Sequence, residues 1–113
     1  MRPHTYSPDR GDIVWIDFSP QAGHEQAGRR PALVISPIAY NKKVGLAILC
    51  PITNQVKGYP FEVMLPDGLP IQGVVLSDQA KSLDWRARRT KYAATVHQTV
   101  TAQVLNKLGT LLQ

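Results

Sequence analysis

The sequence predicts a mainly β fold, a small and strongly bent antiparallel sheet or barrel closed by one C-terminal α-helix. Three observations carry this expectation. Short apolar runs recur with turn signals between them, and only the last stretch of chain has helical periodicity. A chain of 113 residues holds one domain, here taken as residues 1–113, with a single modest core.

The elements follow in order. Asp12 to Phe18 (DIVWIDF) is rich in β-branched and aromatic residues and reads as a first strand. Ser19 to Arg30 is a long polar loop with Gly23 and Gly28 as hinges, and Pro31 stiffens its exit into a second strand, Pro31 to Ser36. Tyr40 to Val44 reads as a turn around Asn41, Lys42 and Lys43, and Gly45 to Ile52 as a third strand apolar enough to be buried on both faces. Phe61 to Leu65 alternates like a half-exposed strand and ends at the turn Pro66-Asp67-Gly68. Gly73 to Leu76 and Ala93 to Val96 are further short strands, separated by the charged segment Lys81 to Lys91. From Gln98 onward Val100, Val104, Leu105, Leu108, Leu111 and Leu112 form one stripe at helical spacing, with Thr99 or Thr101 as candidate cap.

The formal charge of +5 suits a polyanionic partner, although net charge speaks to association and not to a particular activity. A single cysteine, Cys50, cannot build an intramolecular disulfide and lies among apolar residues, so it reads as a buried structural thiol in a reducing compartment. The polar N-terminus and the lack of any long apolar run predict a cytoplasmic protein with no membrane segment. His4, His24 and His97 are scattered, and no spacing gathers metal ligands or forms a phosphate loop. The expectation is therefore chemistry without metal or cofactor.

Four polar groups stand out. One is the glycine-hinged loop with Glu25, Gln26, Arg29 and Arg30; a second is Thr53-Asn54-Gln55 with Lys57. A third is Ser77-Asp78-Gln79-Ala80-Lys81, and a fourth is Trp85-Arg86-Ala87-Arg88-Arg89-Thr90-Lys91. Guanidinium groups beside an indole suit single-stranded nucleic acid, cations on phosphates and the ring as a stacking face. The plainer alternative buries Trp85 in the core and leaves the arginines on a solvated turn. Trp15 reads as a core or interface residue.

These residues also carry a resemblance. Gly11 to Phe18 (GDIVWIDF), Glu25 to Pro37 (EQAGRRPALVISP), Tyr40-Asn41, Pro51-Ile52-Thr53, Lys57 to Val63 (KGYPFEV), Asp78 to Ser82 (DQAKS) and Trp85 to Arg88 (WRAR) stand in the motif order of the MazF/PemK toxins. The chain resembles that family from about Pro8 to the terminal helix. The resemblance implies an SH3-like β-barrel, a homodimer, and metal-independent cleavage of single-stranded RNA, mostly mRNA, at short sequences. It also implies arrest of growth through translation, and a MazE-like antitoxin whose acidic C-terminal tail occupies the RNA groove.

Carried over by position, Arg30 matches the family's catalytic arginine, Thr53 its catalytic threonine and Glu25 a carboxylate that supports toxicity. RNA contacts fall on Phe18, Gln26, Lys57, Asp78, Gln79 and Arg86. One position departs from the PemK-type pattern: Leu76 stands where those relatives carry an arginine two residues before the aspartate equivalent to Asp78. The resemblance thus points to the MazF branch, and His24 inherits no catalytic role. Two other classes compete with a ribonuclease. A CcdB-like barrel toxin would bind DNA gyrase without a catalytic loop, and a non-catalytic module would bind RNA through the basic patch alone.

Overall fold

Alternation along the strands decides the architecture. The computed structural model describes residues 5–18 and 28–113. Its strands are β1 (Asp12–Asp17), β2 (Arg29–Val34), β3 (Leu46–Thr53), β4 (Glu62–Met64), β5 (Val74–Leu76), β6 (Lys81–Asp84) and β7 (Lys91–Thr95). Two helices join them, α1 (Ile38–Val44) and α2 (Gln98–Gly109). Successive side chains on a strand point to opposite faces. Ile13, Leu33, Ile35, Cys50 and Ile52 accordingly enter one apolar cluster, while Val14, Ile16, Ala32, Val34, Ala47 and Leu49 enter a second. Both faces of the central strands are covered, which is why they read as unbroken apolar runs.

The sheet is antiparallel throughout, in the order β4-β5-β3-β2-β1-β7, with β6 also on β3. β3 serves three partners in turn. Leu46 to Leu49 pairs with β6, Leu49 to Pro51 with β2, and Ile52 and Thr53 with β5. A sheet that turns on one shared strand in this way is the bent, mainly β architecture the sequence predicts, with a helix at its C-terminal end.

Four local expectations need correction. The segment read as a turn is the helix α1, begun by extended Pro37 and ended by Gly45 at φ 83°. Its apolar residues Ile38, Tyr40 and Val44 are exposed and its one buried residue is polar Asn41, so the usual binary pattern is inverted. Asn41 is fully satisfied: Nδ2 donates to the Pro8 and Ser36 carbonyls, and Oδ1 accepts from Ser36 Oγ. The charged segment after Lys81 begins with β6, whose single buried residue, Leu83, leaves too short an alternation to recognise. The α2 cap is the His97 side chain, which accepts from the Thr99 amide, and neither threonine fills that role. Finally, only Val100, Val104 and Leu108 of the apolar stripe pack on the core; Leu105, Leu111 and Leu112 are exposed.

Candidate active site

The end of β1 and the start of β2 form one wall of a cleft of about 600 Å³. Trp15, Arg29, Arg30 and Pro31 line this wall. Ile52 and Asn54, at and just beyond the end of β3, and Pro70 to Gln72, leading into β5, complete it. The pairing that puts them there is set by hydrophobic register: Trp15 lies opposite Pro31 and Ile16 opposite Arg30. The β2–β3 register ends at Ala32 with Pro51, two residues short of both Arg30 and Thr53, and Thr53 stands between the cleft-lining residues Ile52 and Asn54.

Thr53 is buried, and its Oγ1 accepts from the Gln55 amide at 3.2 Å, which turns the chain sharply out of β3. Gly73 makes that turn possible from the other side. It sits at φ 122°, and a Cβ there would lie 2.3 Å from the Thr53 carbonyl oxygen. Only glycine allows the two backbones to approach so closely.

The loop's neck is closed by the Phe18 amide, which donates to the Gly28 carbonyl at 2.9 Å. Beside it, Arg89 makes a two-pronged contact with Asp17, Nε to Oδ2 at 2.9 Å and Nη2 to Oδ1 at 3.1 Å. Arg29 approaches the same carboxylate at 3.8 Å. The bond from Arg89, assisted by the charges of Arg29 and Arg88, holds the Asp17 carboxyl below its ordinary value. Asp17 thus stays ionised at neutral pH, and the contact weakens only as acid protonates it.

A second group gathers between β3 and β4. Glu62 accepts from the Lys57 and Gly58 amides at 3.0 and 2.9 Å, and the Tyr59 hydroxyl donates to Asp78. That bond to a carboxylate is the main cause of a Tyr59 hydroxyl pushed up to about 12, so it remains protonated at neutral pH. Lys57 and Asp78 are exposed here and Gln79 is half-buried on the short helical turn Ser77–Gln79.

The other sequence-derived positions are distributed differently. Glu25 and Gln26, with His24, lie outside the described residues. Phe18 is buried in the second core cluster at 1% exposure, so as placed it offers no face for stacking on a base. Trp85 is likewise core, its indole nitrogen donating to the Asn41 carbonyl at 2.9 Å. Arg86 covers that ring and donates to the Lys42 carbonyl at 2.6 Å. It lines a separate hollow with Val44 and Leu46 and is absent from the Arg30 cleft.

Trp15, which reads from the sequence as a core or interface residue, packs partly on the first core cluster and also lines the cleft. It is half-buried in β1, where Trp15 and Asp17 alternate with buried neighbours. Pro70 to Gln72 had no local signal, because only the fold brings them to the cleft. Cys50 is buried, and desolvation pushes its thiol up to about 12, as suits a structural residue. Among the described residues no three His, Cys, Asp or Glu side chains are grouped to hold a metal ion. Nor is any helix among them long and apolar enough to cross a membrane.

Comparison with known proteins places this arrangement. The family model described as PemK-like, MazF-like toxin of type II toxin–antitoxin system matches residues 9–112. The endoribonuclease toxin MazF of Escherichia coli strain K12 is 48% identical over 107 residues, covering 95% of this chain and 96% of that protein. The endoribonuclease PemK of Escherichia coli is 38% identical over 109 residues, covering 92% and 81% respectively. A crystal structure of MazF from Deinococcus radiodurans superposes with a TM-score of 0.93 at 57% identity, covering 96% of this chain and 98% of that one. A MazE–MazF crystal structure from the same organism gives 0.85 at 51% identity, covering 96% and 97%. These matches favour a ribonuclease over the gyrase-binding and non-catalytic alternatives. The chain belongs to the PemK-like, MazF-like toxin family of type II toxin–antitoxin systems.

Proposed function

We propose that this endoribonuclease toxin cleaves single-stranded RNA, chiefly mRNA, by attack of the substrate's own 2′-OH on the adjacent phosphorus, without a metal ion. The P–O5′ bond breaks, leaving a 2′,3′-cyclic phosphate and a 5′-OH. The protein then has three tasks: to take the 2′-OH proton, to protonate the leaving 5′-oxygen, and to stabilise charge on the equatorial oxygens.

The observation that supports this reading most strongly is Arg30 in a cleft also lined by Arg29 and Trp15. A planar guanidinium matches phosphate geometry with two parallel bonds, and the indole offers a base a stacking face. Arg30 is the charge-stabilising group, because a guanidinium stays protonated and is a poor base. Thr53 keeps its hydroxyl hydrogen for a phosphate oxygen while its Oγ1 accepts from Gln55. Glu25 takes the 2′-OH proton or orients Arg30.

The cognate partner is a MazE-like antitoxin whose acidic tail competes for the same basic groove, and the working form is a cytoplasmic homodimer. Cleavage at short mRNA sequences blocks translation and arrests growth.

The direct test uses the substrate. RNA carrying 2′-deoxy or 2′-O-methyl ribose at the cut position is expected to survive incubation that consumes unmodified RNA, whose new ends are cyclic phosphate and 5′-OH. Scission of the modified strand, or 5′-phosphate ends, would indicate a hydrolytic nuclease and end this proposal. Glu25→Ala is expected to slow cleavage less than loss of Arg30 does, measured as initial rate on the same RNA; an unchanged rate makes the glutamate a bystander.

A further inference from the structure

Arg89 is the one non-glycine residue with positive φ among those described, at 52°. A residue with a side chain pays for that conformation, and such strain persists where surrounding structure enforces it. Here the enforcing structure is the turn between β6 and β7. The Asp84 carboxylate accepts from the Arg86 and Ala87 amides at 3.1 and 3.2 Å, and Thr90 Oγ1 donates to the Trp85 carbonyl at 2.6 Å. The outcome is a guanidinium aimed at Asp17 with both prongs engaged.

The same turn grips the Asp17 backbone. The Asp17 amide donates to the Arg88 carbonyl at 3.1 Å, and Arg88 Nη1 donates to the Asp17 carbonyl at 3.0 Å. Asp17 is the last residue of β1 and pairs with Arg29, the first of β2, immediately before Arg30. A side chain as exposed as Arg89, at 70%, gains little stability from an ion pair. The contact therefore contributes more to the placement of Asp17 than to stability.

We propose that Arg89, through Asp17, is a positioning residue for RNA cleavage: it holds the end of β1 against the start of β2 and with it the placement of Arg29 and Arg30 in the cleft. This rests on the catalytic reading of Arg30. A phosphate-stabilising group displaced by about 1 Å can lose on the order of a hundredfold in rate. Release of one anchor at the neck is expected to cost about tenfold, since the Arg88 and Phe18 backbone bonds remain.

The test compares Arg89→Gly, Asp17→Asn, their double variant and Arg89→Lys, with Arg30→Ala as reference. Glycine accommodates the 52° backbone without strain, so the fold survives removal of the guanidinium. Single-turnover cleavage of a short RNA is followed across protein concentration, with thermal melting in parallel.

The expected result is a roughly tenfold lower rate at saturation for each single variant, with the half-saturating concentration and melting temperature near wild type. The double variant is no slower than the slower single, and Arg89→Lys recovers part of the loss. Losses that multiply in the double variant, or that fall only on half-saturation, would overturn the positioning role. Cleavage that depends on Arg30 but ignores Asp17 and Arg89 would overturn it alone; full activity in Arg30→Ala would remove the catalytic reading beneath it as well.

Discussion

Arg30→Ala is expected to slow RNA cleavage on the order of a hundredfold or more while the protein keeps its far-ultraviolet circular dichroism and melting temperature. The size follows from the task. Charge that builds on the non-bridging oxygens in the transition state has no metal to meet it in the proposed mechanism, so one lost donor leaves much of it unanswered. The survival of the fold follows from placement. Arg30 is partly exposed as the second residue of β2, while Ala32, Leu33 and Val34, which carry that strand's core contacts, are untouched. Arg30→Lys should recover little, because an ammonium lacks the two-pronged planar geometry. Single-turnover rates on a defined RNA decide this; a rate within severalfold of wild type would take Arg30 out of the chemistry.

Gly73→Ala is expected to be the most damaging single-atom-scale change in the cleft wall. The backbone conformation at φ 122° by itself costs a residue with a Cβ about 1–3 kcal/mol. The added carbon would also press into the Thr53 carbonyl oxygen and carbon, at 2.3 and 2.9 Å, and neither is the end of a flexible side chain. Relief requires β5 to move away from the end of β3, where Val74 pairs with Thr53. The variant should therefore melt well below wild type and cleave RNA poorly even where folded, because the same shift carries Thr53, Asn54 and Gln72. Thermal unfolding and single-turnover cleavage below the melting range measure the two effects separately. Wild-type values for both would show that the strands can part at no cost.

Particular residues show what the sequence could and could not convey. β1, β2 and β3 were legible because each is an apolar run covered on both faces, and their residues divide cleanly between the two clusters. α1 was not, since its buried residue is an asparagine held by Pro8 and Ser36, thirty-three and five positions away. Its apolar residues face outward, so periodicity gave no warning. In the cleft, Arg30 was named from its loop and its motif. Trp15 reads as a core or interface residue and does pack partly on the first cluster; its place in the cleft wall follows from the register opposite Pro31. Phe18, an RNA contact by resemblance, lies buried in the second cluster, where the period of two turns it inward.

The eight residues of β3 border β6, β2 and β5 one after another and end at Thr53. A substitution within it therefore disturbs several seams of the molecule together. In the connection after β3, where Asn54 to Lys57 are exposed, a new side chain meets solvent first. Resistance to unfolding thus rests on one short stretch of chain, while its immediate continuation tolerates exchange.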